Sequence, residues 1–159
     1  MVWHTRRRQA TIWMAAVAVL SLVAAGCSDD DGGETGSDGT VEVTLQEFAV
    51  LPSPDSAPAG EVTFNVTNSG PEDVHEFVVF ATDLAPDALP TAPDGSVDET
   101  GEGIELIDEI EDIAVDATPT LTVTLDAGSY VLICNIVEEE GADMIVHYQQ
   151  GMRVGFTAE

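Results

Sequence analysis

The sequence predicts an all-β sandwich. Apolar and polar residues alternate through several short segments, Gly, Pro, Asn and Asp punctuate the gaps, and only one segment has helical spacing. Residues 41–50, "VEVTLQEFAV", set Val41, Val43 and Leu45 against Glu42, Thr44 and Gln46, the pattern of a half-buried strand. Residues 51–60, "LPSPDSAPAG", carry three prolines and a glycine and read as turn material. "EVTFNVTN" (61–68) alternates again, with Val62, Phe64 and Val66 on one face. "NSGPED" (68–73) is a tight turn, to which Asn68 is assigned as turn chemistry.

"VHEFVVF" (74–80) is rich in branched and aromatic residues and reads as a central strand, with His75, Phe77 and Val79 sharing its inward face. Residues 83–103 hold three prolines, three glycines and no periodicity. That is longer than most connections in compact domains, so a long irregular insertion is expected. In "IELIDEIEDIA" (104–114), Ile104, Ile107, Ile110 and Ile113 stand three apart, which suggests a short amphipathic helix. A bent strand using Leu106 and Ile110 is the alternative. "TLTVTL" (120–125) and "SYVLIC" (129–134) are strands flanking a turn, and "MRVGFTA" (152–158) is the last.

Ahead of this domain stands a different kind of sequence. Arg6, Arg7 and Arg8 precede the apolar run "ATIWMAAVAVLSLVAA", and small residues lead to Cys27. Positive, apolar, small is the order of a secretory signal, here 1–26. The run is short of the roughly 20 apolar residues that a membrane span needs. Cys27 after "AAG" resembles a bacterial lipobox, although Ala24 stands where that motif usually has Leu. The resemblance implies lipidation of Cys27 and anchoring to the outer face of the cytoplasmic membrane. The paired arginines leave a twin-arginine export route open. Residues 27–40 follow as an acidic tether without aromatic or branched apolar residues before Thr40, so they cannot bury enough surface to offset the entropy of ordering. The domain, 41–159, is long enough for one core.

All 30 Asp and Glu lie after Cys27 and only Arg153 opposes them, so the exported chain carries a formal −29. Nucleic acid is excluded as a partner, because binding it requires phosphate-neutralising cations. A basic partner protein or a saline habitat accords with such a charge. Glu138, Glu139 and Glu140 read as a solvated loop or as a docking patch for such a partner.

The exported chain has two histidines, His75 and His147, one thiol besides Cys27, Cys134, and two methionines, Met144 and Met152. His75 opens a strand and Cys134 closes one, so adjacent strand ends can bring imidazole and thiol to one pole of a sandwich. His147 and Met152 arrive just before the last strand. Two imidazoles, a thiolate and a thioether are the set that suits copper. Thiolate and thioether stabilise Cu(I), imidazoles accept Cu(II), and one geometry can serve both.

"HEFVVF" after "VTNSGPEDV", together with "GSYVLIC" and "HYQQGMRVGF", resembles stretches of small cupredoxins of the plastocyanin and azurin superfamily over residues 41–159. The resemblance implies an eight-stranded Greek-key β-sandwich, one type 1 copper ion and one-electron transfer. It implies His75, Cys134, His147 and Met152 as ligands, and an exposed edge of His147 as the electron exit. One departure stands out: twelve residues separate Cys134 from His147, where the family has only a few. The added segment is expected to form an acidic protrusion beside the metal, and it brings in Met144 as a rival axial ligand. Asn135 is a candidate for orienting the loop or for a hydrogen bond near the sulfur.

The expected function is an exported electron carrier, monomeric, that meets redox partner proteins and catalyses no bond-breaking reaction. Nucleophilic catalysis would need a base beside a Ser or Cys, and both histidines are claimed by the metal set. A binuclear copper centre lacks its second loop cysteine, and an antibody-type domain lacks its cysteine pair and Trp. A copper storage or delivery protein and a metal-free β-sandwich interaction module are the alternatives.

Overall fold

The computed structural model describes residues 39–140 and 143–159. The signal segment, Cys27 and the tether up to residue 38 lie outside the described residues. The described chain begins with β1 (Thr40–Gln46), β2 (Ala49–Ser53), β3 (Ser56–Ala57), β4 (Gly60–Asn68) and β5 (His75–Ala81). It continues through β6 (Glu105–Ile113), β7 (Thr120–Leu125), β8 (Gly128–Ile133), β9 (Val137–Glu140), β10 (Asp143–Val146), the short helix α1 (His147–Gln150) and β11 (Arg153–Ala158). One sheet has the order β2-β1-β4-β7 and another β3-β11-β8-β5-β6, while β9 and β10 pair by themselves. Both principal sheets are mixed: β1 runs parallel to β4 and β3 parallel to β11, and the other neighbours are antiparallel.

The alternating pattern does what it predicts in the first sheet. Val41, Val43, Leu45, Val62, Phe64, Val66, Val123 and Leu125 enter the core. The outer face is polar, with Asn65 Nδ2 donating to Glu42 Oε1 at 2.7 Å. Phe64 reaches across to Phe77 and Phe156 of the second sheet, with ring centroids 5.3 and 5.4 Å apart. Edge-to-face aromatic contacts of this kind lock the two layers in register.

The middle of the second sheet, β5 and β8, is buried on both faces. Phe77, Val79, Tyr130 and Leu132 face the first sheet, while Val78, Phe80, Val131 and Ile133 form a second cluster with Leu89, Val97, Val146 and Tyr148. "FVVF" therefore reads as an unbroken apolar run because both sides of β5 are covered. The cover is the 83–103 insertion, packed onto the sheet through Leu89 and Val97. Its shape comes from local bonds: Thr91 bridges Val97, Asp94 Oδ1 accepts from Ser96 N–H, and Asp98 Oδ1 accepts from Thr100 N–H. The Tyr148 hydroxyl secures it from the sheet side, accepting from Leu89 N–H at 3.2 Å and donating to Pro86 O at 2.9 Å.

Three expectations need correction. The segment 41–50 bends at Glu47 and Phe48 into the β1–β2 hairpin, and β2 runs into the stretch read as turn. Pro52 is tolerated there because β2 is an edge strand. The predicted helix over 104–114 is a strand, β6. Its isoleucines stand three apart because β6 carries two bulges against β5: His75 and Phe77 face Ile113 and Ile110, and Val79 and Phe80 face Asp108 and Leu106. Each bulge adds one residue to a period of two, so an inward set three apart results. Asp112 occupies the first bulge with φ of 53°, a left-handed conformation that Asp accepts better than most residues. The one helix among the described residues is α1, which opens on His147.

Replacing Tyr148 with Phe removes both hydroxyl hydrogen bonds to the insertion and leaves the buried Leu89 N–H without a partner. We expect a loss of about 1–3 kcal/mol in denaturant unfolding, with limited proteolysis cutting first within 83–103.

Candidate metal centre

Four local devices bring the soft ligands to one pole. β5 starts at His75 and β8 ends just before Cys134, and the two strands are neighbours in antiparallel register. His147 opens α1, where its backbone N–H donates to Ile136 O at 2.9 Å. Met152 N–H donates to His147 O and Cys134 N–H donates to Met152 O, both at 3.1 Å. The backbone of Met152 is therefore bonded to two of the other three residues. Gly151 permits this return at φ of 127°, a value that side chains rarely adopt.

The donor atoms converge. Cys134 Sγ lies 3.3 Å from His147 Nδ1 and 3.9 Å from His75 Nδ1, and the two Nδ1 atoms are 3.3 Å apart. All three residues are 0% exposed. A cation bound at the roughly 2.0–2.3 Å that nitrogen and sulfur donors make to zinc would need donor separations of about 3.5–3.7 Å in a trigonal plane. The observed triangle spans that range. Met152 is also fully buried, whereas Met144 on β10 is 54% exposed, so the candidate for a fourth ligand is Met152.

Outside the triangle, each imidazole has a carboxylate at its far nitrogen. His147 Nε2 is 2.9 Å from Glu138 Oε1, and His75 Nε2 is 3.8 Å from Glu47 Oε1. Glu47 Oε1 is held by the N–H groups of Glu72 and Asp73 at 3.1 and 2.7 Å. Burial raises the Glu47 carboxyl, but these backbone bonds and His75 outweigh it and the net shift is downward. His75 is pushed below its ordinary value, chiefly by burial and then by His147 beside it. Burial also pushes the Cys134 thiol up to about 12, although its sulfur accepts Glu76 N–H at 3.3 Å. At neutral pH, His75 and the Cys134 thiol are thus both held uncharged.

Several residues have roles that the sequence reading missed. Asn68 is not only turn chemistry: its Nδ2 donates to Asp73 O and Ile113 O, both at 2.8 Å, while its Oδ1 accepts from Gly70 N–H. It ties the ends of β4 and β6 to the turn that delivers His75. Asn135 does not address the sulfur. Its amide brackets Val97, accepting from the N–H at 2.6 Å and donating to the O at 3.1 Å, and also donates to Glu99 Oε1. Glu138 is turned toward His147 and only partly toward solvent. The edge of His147 that was expected to be exposed is buried, because the β9–β10 hairpin places Glu138 over Nε2 and Phe48 packs edge-on at 5.1 Å. The expected acidic protrusion is this hairpin. Arg153, the one positive side chain after Cys27, donates to Tyr148 O and lies 5.0 Å from the Tyr148 ring centroid.

No protein-family model matches the sequence, and no curated protein matches it. Solved structures do. Auracyanin from the photosynthetic bacterium Roseiflexus castenholzii, in its dithionite-reduced form, is 21% identical over 78% of this chain and 99% of its own, with a TM-score of 0.51. Auracyanin B is 20% identical over 79% of this chain and 92% of its own, with a TM-score of 0.50. The fold is that of the cupredoxins. The all-β sandwich expected from the sequence is this fold, and within it the buried His75, Cys134 and His147, with Met152 beside them in the backbone ladder, make a donor set that fits type 1 copper.

A second acidic cluster sits outside the pole, where carboxylates of Glu76, Glu99 and Glu109 come together. Burial and then the charge of Glu109 push the Glu76 carboxyl from 4.5 to about 7. The folded state therefore holds this proton more tightly than the unfolded state, so its contribution to stability is present below pH 4.5 and lost as pH rises through 7. Glu76→Gln should leave the metal-free protein unchanged at pH 4 and stabilise it by about 2 kcal/mol at pH 8, read from urea midpoints. In the same protein at pH 8, the Cys134 thiol should react with an alkylating reagent roughly a thousandfold more slowly than an exposed cysteine, and at the ordinary rate in denaturant.

Proposed function

We propose that the chain is an exported blue-copper protein that carries single electrons between redox partners. The observation that carries this reading is the convergence of two imidazole Nδ1 atoms and one thiol sulfur, all fully buried, within a triangle of 3.3–3.9 Å. Copper bound there would supply a one-electron couple. His75, Cys134 and His147 would hold it, with Met152 as a fourth ligand.

The chain's own part is to keep those atoms still. His75 is fixed by the Asn68 staple and the β5–β8 pairing, Cys134 and His147 by their hydrogen bonds to Met152, and the His147 imidazole also by Glu138. A site whose ligands are held from several sides changes little between two oxidation states, and that lowers the barrier to electron exchange. The core beneath, with Phe77, Leu132 and Phe156, keeps water away from the sulfur.

The location is read from residues 1–26, a lipoprotein-type signal followed by Cys27, which supports anchoring at the outer face of the cytoplasmic membrane. The formal −29 supports a partner with a basic docking surface, met as a monomer and with a rate that falls as salt rises.

Adding one equivalent of Cu(II) to the purified protein should produce an intense blue thiolate-to-copper band. His75→Ala should lose or markedly alter it and weaken copper binding by at least about 100-fold, since loss of an outer partner alone costs about 10–100-fold. A pale solution, or a band indifferent to His75, would refute the carrier. Ready surrender of Cu(I) to a chelator with slow electron exchange would favour storage or delivery.

A further inference from the structure

The twelve residues between Cys134 and His147 do more than lengthen a loop. Within them, Val137–Glu140 form β9 and Asp143–Val146 form β10, paired from Val137–Val146 to Glu140–Asp143, and this pairing sets Glu138 at the far side of His147. An ionised carboxylate only accepts hydrogen bonds. At 2.9 Å from Glu138 Oε1, His147 Nε2 must therefore carry the proton. The Nδ1 atom is then left with its lone pair, and that atom faces Cys134 Sγ and His75 Nδ1.

We propose that Glu138 is the positioning residue of this site: it selects the His147 tautomer that can bind metal and favours the more highly charged oxidation state. This rests on the copper reading for its second half only. The first half concerns the protein alone. The carboxylate is well placed for both, because His147 is fully buried and Glu138 is its direct hydrogen-bond partner at Nε2. Asp73 also lies close, its carboxylate grouped with Glu138 and His147, but Glu138 makes the bond. Oxidised copper carries one more positive charge than reduced copper, so a fixed negative charge behind the imidazole stabilises the oxidised form more. The same bond raises the basicity of the ligating nitrogen. Both effects lower the reduction potential relative to a site whose imidazole edge meets water.

Two variants separate the hydrogen bond from the charge. Glu138→Gln keeps an acceptor oxygen without the charge, and Glu138→Ala removes both. In the metal-free protein at neutral pH, ¹⁵N spectra of the His147 ring should show a single tautomer protonated at Nε2 in the parent and a mixture of the two tautomers in E138A. In the copper-loaded protein, E138Q should weaken Cu(II) relative to Cu(I) by about tenfold, equivalent to a potential about 59 mV higher for a one-electron couple. If E138A leaves the ring tautomer unchanged, or if both variants leave the potential unchanged, Glu138 is a bystander. A parent protein without a blue band would sink the copper reading instead, and the ring spectra would still decide whether Glu138 positions His147.

Discussion

Three polar donors face one another at the end of an apolar core, and this is the constraint that the rest of the molecule accommodates. A buried polar group without a partner costs on the order of 1–3 kcal/mol by mutational measures. His75, Cys134 and His147 are all removed from water, and His75 Nε2 has no hydrogen-bond partner among the described residues. Such an arrangement is not a route to stability. It persists because each donor is built into a strand end or a backbone ladder that the core itself determines. β5 and β8 are held by apolar side chains on both faces, and the Met152 carbonyl and N–H groups are satisfied only where they stand. The sandwich thus supplies the stability and the pole uses some of it.

The double burial of the second sheet explains the unusual length of this chain between strands. A sheet covered on one side needs only the opposite layer, yet Val78, Phe80, Val131 and Ile133 point away from it. The insertion answers that need with Leu89 and Val97, and Tyr148 joins it to the ligand segment through its hydroxyl. Asn135, one residue beyond the sulfur, is bonded to Val97 of the same insertion. Two long departures, 83–103 and 135–146, therefore support each other and flank the ligands. Loosening one should be felt by the other through Tyr148 and Asn135.

Much of this was legible in the residues. Strict alternation marks β1, β4 and β7 because one face of that sheet is wet. The candidate ligand set was legible because the chain after Cys27 is so poor in soft side chains that each one present is informative. The β6 segment was not, since period-2 burial interrupted by two bulges mimics helical spacing, and bulges depend on the partner strand. Glu138, Glu47 and Asn68 were not, because a carboxylate or amide in an acidic, turn-rich chain looks the same whether it meets water or an imidazole. For Glu138 the register of the β9–β10 pair decides that question, and a run of three glutamates does not disclose it.

The thirty carboxyl groups are not equal in their effect on the pole. At physiological salt the screening length is about 8 Å, so exposed acids further away contribute little beyond solubility and approach of a partner. A charge at about 4 Å with an effective dielectric of about 20 acts with about 4 kcal/mol. Glu138 and Glu47, both in contact range of a ligand imidazole, and Asp73 grouped with Glu138, belong to that near class. The burial of the site works against them, because a low-dielectric surrounding disfavours added charge. The balance between a few near carboxylates and a dry apolar floor, rather than the net charge of the chain, therefore sets the electrostatics of this centre. That balance also separates two roles the acidity could serve: the near carboxylates act on the ligands whatever the salt, and the distant ones act on a partner only while salt is low.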